Sequence, residues 1–175
     1  DNNVAVGGYA LDANTTGPNN VAIGHGALGA NTTANGSTAI GQGVLGANIT
    51  GDGNTAIGGA IASVRNAAMA ANTTGYWNVA MGGGAFTANT TGHSSVAIGF
   101  SALGANTTAA NNVAVGAYSL DANTTGASNT ALGYAALTTN TTGPNNVAVG
   151  NNSLTLNTTG SENTAVGTSC LGANT

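Results

Sequence analysis

Charge is almost missing from this sequence. Of 175 residues, one is Lys or Arg and five are Asp or Glu, so charged residues make up 3%, where soluble domains carry roughly 25%. A nucleic-acid binder needs a basic stripe to displace counterions from phosphate, and none can be assembled here. Acid–base and metal chemistry need clustered titratable groups, so their scarcity also argues against an enzyme. The single cysteine, Cys170, excludes an intrachain disulfide and any Cys-based metal site. No apolar run approaches the roughly 20 residues of a membrane-spanning helix, and the sequence has no basic, apolar leader of the secretory kind. Hydrophobic residues nevertheless make up 41%, which fits poorly with intrinsic disorder.

What is present is repetition. A (Val/Thr)-Ala-aliphatic-Gly motif recurs with its alanine at Ala5, Ala22, Ala39, Ala56, Ala80, Ala97, Ala114, Ala131, Ala148 and Ala165. The spacing is 17 residues throughout, except for one step of 24. There are thus ten copies of one unit, with consensus V-A-V-G-x-x-A-L-x-A-N-T-T-G-x-N-N, and a seven-residue insertion within 60–71 in the fourth copy. The chain opens on Asp1-Asn2-Asn3 and closes on Asn174-Thr175, both positions inside the motif, so it reads as a segment of a longer array.

Seventeen residues are too few for a two-helix repeat, and the density of Gly, Asn and Thr disfavours helix. Two short strands per unit fit instead: Val4-Ala5-Val6, and Ala10 to Ala13 around Leu11. Gly7-Gly8 breaks between them and Thr16-Gly17-Pro18-Asn19 supplies a turn. The expected fold is all-β, a parallel β-solenoid or β-roll of ten coils stacked about 4.8 Å apart, filling residues 1–175 as a single array. Each coil offers about three aliphatic side chains, such as Val4, Val6 and Leu11. That is little burial against the entropy of ordering seventeen backbones, so association of several chains around a shared apolar axis is expected, as a homotrimer.

Ser95-Val96-Ala97-Ile98-Gly99, Asn54-Thr55-Ala56-Ile57-Gly58 and Asn129-Thr130-Ala131-Leu132-Gly133-Tyr134 resemble the head repeats of trimeric autotransporter adhesins. The 17-residue form with its N-T-T-G turn is also similar to repeats in phage tail fibres and bacterial surface fibre proteins. The resemblance covers essentially the whole chain, although adhesin heads more often use shorter coils. It implies a left-handed parallel β-roll whose three chains share one core, and an extracellular, cell-surface or virion-fibre role that is structural and adhesive. It brings no catalytic residue, metal ligand or cofactor. A purely structural subunit, stacking head to tail into a filament, is the alternative.

Three features could carry more than architecture. The Asn-Thr-Thr triplets begin at Asn14, Asn31, Asn72, Asn89, Asn106, Asn123, Asn140 and Asn157, with Asn48-Ile49-Thr50 as a variant. Stacked coil on coil, these asparagines suit an amide hydrogen-bond ladder; each is also a sequon for N-linked glycosylation. A row of threonines on a solenoid suits ice binding as well, weakened here because adjacent strand residues face opposite sides. The insertion holds the lone basic residue, Arg65, is Ala-rich enough for a helical turn or two, and is followed by Tyr76 and Trp77, where other units place small or polar residues. Arg65, Tyr76 and Trp77 are candidates for a receptor or glycan contact; the structural alternative is that the loop folds over Trp77, or that Trp77 packs against a neighbouring chain. His25 and His93 lack the partners of a metal site, Asp12 and Asp121 read as solvated carboxylates, and Cys170 takes an Ala position as a small core residue.

Overall fold

The computed structural model describes residues 2–60 and 66–173. Ten three-residue strands run through it: β1 (Val4–Val6), β2 (Val21–Ile23), β3 (Thr38–Ile40), β4 (Thr55–Ile57), β5 (Val79–Met81), β6 (Val96–Ile98), β7 (Val113–Val115), β8 (Thr130–Leu132), β9 (Val147–Val149) and β10 (Thr164–Val166). They form one sheet in sequence order. Every pairing is parallel and sets equivalent alanines opposite one another, Ala5 to Ala22 at one end and Ala148 to Ala165 at the other. The register survives the insertion, with Ala56 opposite Ala80. This is a parallel β-solenoid, and there is no helix among the described residues. Coils are numbered here by the strand that opens them.

The strand is short because its fourth residue is always glycine, and that glycine turns the chain. Gly99 has φ 132°, and a Cβ on it would lie 2.6 Å from the backbone carbonyl of Gly116 in the next coil. Neither the backbone angle nor the stacking distance admits a side chain.

The second strand expected from Ala10 to Ala13 is absent. Its central leucine sits in the left-handed region, with φ 53° at Leu11, 50° at Leu28 and 52° at Leu137. Left-handed backbone costs an L-residue about 1–2 kcal/mol. Full burial of the leucine side chain, about 1.5–3 kcal/mol, offsets it. The segment still hydrogen-bonds from rung to rung, Leu28 N–H to Val44 O at 3.1 Å and Leu120 N–H to Ala136 O at 3.0 Å. It makes a stacked corner rather than a sheet.

The interior is correspondingly narrow. It holds the strand alanines, the Ala-Leu pairs of the corner such as Ala102-Leu103 and Ala136-Leu137, and Met69 and Phe86 in two leucine positions. Val4 and Val6, expected in this core, instead occupy the strand positions that point out of the coil, as the next strand shows with Ala22 buried between half-buried Val21 and exposed Ile23. Alternation along the strand decides this: with Ala in the middle facing in, both neighbours face out. Cys170 is half-buried and packs against the end of the core.

Candidate functional site

The asparagines of the Asn-Thr-Thr triplets lie inside the coil. Each side-chain Nδ2 donates to the Oδ1 of its equivalent in the preceding coil, as from Asn31 to Asn14 at 2.8 Å, from Asn89 to Asn72 at 2.7 Å and from Asn157 to Asn140 at 2.9 Å. The same nitrogen donates to the carbonyl three residues on, Asn72 to Gly75 at 2.9 Å and Asn123 to Gly126 at 2.9 Å. Asn48, Asn106 and Asn140 repeat the arrangement. Both amide hydrogens are therefore engaged and the side chains from Asn31 to Asn157 are buried. An N-linked glycan would need that nitrogen in water, so the folded coils present no acceptor from Asn31 to Asn157; Asn14, in the first coil, is half-buried and donates only to Gly17 O at 3.0 Å.

A second ladder was not legible as such in the sequence. The residue before each strand is Asn or Ser, and its side-chain oxygen accepts the backbone N–H of its equivalent one coil on: Ser37 N–H to Asn20 Oδ1 at 2.9 Å, Asn129 N–H to Asn112 Oδ1 at 2.8 Å. Where the side chain is Asn, its amide reaches the next coil's turn carbonyl, as from Asn129 to Gly143 at 2.9 Å. The signal was there in the closing N-N of the consensus, but such residues also suit plain turns.

The two threonines of each triplet divide their tasks. The first hydroxyl donates to a carbonyl of the next coil, Thr90 to Thr107 at 3.1 Å and Thr124 to Thr141 at 3.0 Å. The second, as at Thr91, Thr108 and Thr125, faces solvent, so the outward threonines stand in single file.

On the strand side the surface is apolar and uncharged. The outer strand positions carry Val or Thr first and Val, Ile, Leu or Met third, and none of these side chains is fully buried in the single chain. Ile23, Met81, Ile98 and Leu132 are exposed. At the adjoining corner, three aromatic rings continue the stripe edge to face, Phe100 to Tyr118 with centroids 5.5 Å apart and Tyr118 to Tyr134 at 5.9 Å.

Tyr76 and Trp77 belong to a different edge, the turn ahead of each strand. Trp77 is 67% exposed, so among the described residues nothing packs over it. Its backbone N–H donates to the backbone carbonyl of Asp52 at 3.0 Å, and its pyrrole edge lies so close to Gly53 that a Cβ there would be 2.7 Å from Cδ1. Tyr76 meets the indole edge to face at 5.1 Å and stacks on His93 at 4.7 Å with ring planes 8° apart. Arg65, the third candidate contact, lies outside the described residues together with 61–64, and the described rest of the 60–71 segment expected to turn as a helix forms turns instead.

His25 rests on Tyr9 with centroids 5.3 Å apart. Among the described residues no three His, Cys, Asp or Glu side chains gather where a metal ion would fit. Asp12 is exposed, whereas its equivalent Asp121 is half-buried against Gly104 of the coil before it. Burial pushes the Asp121 carboxyl above its ordinary value, because desolvation penalises its charged form. No protein-family model matches the chain, and no curated protein or solved structure matches it either.

Proposed function

We propose that this chain is a non-catalytic structural and adhesive segment of an extracellular fibre, a stiff shaft or head built from several copies packed strand face to strand face. The observation that carries this reading is the outward row of Val, Ile, Leu and Met on all ten strands, uncharged from end to end. Exposed apolar stripes of this length mark interaction surfaces. The fitting partner is a second copy, because only a surface with the same rung spacing can match side chains to it along ten coils. Three copies around one axis is the number implied by the resemblance to adhesin heads, and it gives each face a shared interior.

The rod's other faces suit the same role. Asn and Thr keep them hydrated without charge, so the surface does not depend on salt, and the stacked turns offer few long loops to proteases.

Charging the stripe tests the proposal. The double variant Ile98→Lys with Val115→Lys is expected to reduce the assembly to single chains of 16.5 kDa as read by sedimentation equilibrium. The pair Thr108→Lys with Thr125→Lys, on the solvent row, leaves the mass unchanged. An unaltered mass for the strand-face variant would refute packing through that face.

A further inference from the structure

We infer that the turn row of the third to fifth coils is a carbohydrate-binding platform, on which Trp77 stacks against the apolar face of a neutral pyranose while Asp52 accepts its hydroxyl hydrogen bonds. This extends the adhesive reading by naming a ligand class, and it rests on different residues from the strand face.

The residue at the Trp77 position is left-handed in each described coil, and most coils place there a residue suited to it: φ is 59° at Asn19, 62° at Gly53, 61° at Asn111 and 59° at Asn145. Trp77 adopts φ 55°, where a bulky side chain is strained and a short polar one is far less so. It also leaves most of its indole in water. Neither backbone preference nor burial favours tryptophan here, and such a costly placement points to a site rather than to the fold.

The surroundings fix the ring. The indole occupies the space a side chain at Gly53 would need, and the Tyr76–His93 stack holds Tyr76 against the indole. A ligand therefore meets a platform that has already lost its freedom, which lowers the cost of binding.

Polar side chains stand in the same turn row, one coil to either side of Trp77. Asp52, at the Tyr76 position of the third coil, supplies a carboxylate whose Oδ1 accepts Asn35 N–H of the second coil at 2.9 Å, which leaves Oδ2 for a ligand. Ser94 Oγ lies 3.2 Å from His93 Nδ1 on the other side. A flat aromatic face with an acceptor and a hydroxyl in the adjacent coils matches a β-linked hexose, which pairs an apolar C–H face with a rim of hydroxyls. The carboxylate and the net charge of -4 disfavour acidic sugars and phosphates.

Trp77 is the single tryptophan, so its fluorescence reports the site directly. Titration of the assembled protein with cellotetraose and with lactose is expected to give a saturable, blue-shifted emission for at least one of them. Trp77→Asn introduces the residue type that Asn19, Asn111 and Asn145 place at this position in other coils and is expected to fold at least as well. By calorimetry it should bind the same sugar at least tenfold more weakly, and Asp52→Asn several-fold more weakly. Absence of a saturable response to both sugars, or equal binding by Trp77→Asn, would overturn the inference. Either result leaves the mass measurements on the strand-face variants unaffected, so the two proposals fail separately.

Discussion

Asp12 and Asp121 occupy the same place in two coils, yet only Asp121 has lost much of its water. Its carboxyl is raised above its ordinary value by burial, so the folded state holds the proton more tightly than the unfolded chain does. Stability linked to this group is therefore fullest below the unfolded carboxylate range and is lost as pH rises through the folded value. Asp121→Asn removes the charge while keeping the shape. We expect its melting temperature to exceed that of the parent at pH 7, with the difference shrinking as pH falls and vanishing near pH 3. A parent more stable than the variant at pH 7 would show that the carboxylate makes a favourable interaction offsetting its desolvation. The sequence placed this residue at the surface because a lone acid in a repeat offers no sign of how closely the coil before it approaches.

A typical coil is one strand, one left-handed corner, one asparagine rung and a second rung of Asn or Ser. The strand was readable from alternation alone, since Val-Ala-Ile followed by Gly leaves few other options. The corner was not. Leu11 and its equivalents look like strand residues by type, and only the stack, which satisfies their N–H groups and swallows their side chains, makes a positive φ worthwhile. The direction of Val4 and Val6 was missed for a related reason: alternation says that they share a face, not which face has the interior. The Asn rungs give the element-scale prediction. Asn106→Ala would leave the buried carbonyl of Ala109 and one amide hydrogen of Asn123 unpaired. Each such loss costs about 1–3 kcal/mol, so we expect destabilisation on the order of 3 kcal/mol. Amide exchange should quicken in the fifth to seventh coils and much less at the ends, as nearest-neighbour coupling requires. Thr108→Ala, on the solvent row, is expected to change stability by less than about 0.5 kcal/mol.

The whole molecule is a stack whose units differ little, so its properties add along one axis. Ten coils at about 4.8 Å give a rod close to 50 Å long, narrow inside and apolar along one outer stripe. Repetition made this architecture legible at once, and it made the individual positions hard to interpret, because a repeat conceals which copies carry something extra. Trp77 stood out by type, but its strain and its seat on Gly53 belong to the turn geometry and are visible only in three dimensions. The stripe carries the central claim that a single chain leaves its strand faces unpaired and that copies of itself cover them. The mass of the wild-type protein in dilute solution, by sedimentation equilibrium, tests this most directly. A whole-number multiple of 16.5 kDa, with three the expected multiple, is the predicted result; a stable folded species of one chain at every concentration would contradict it.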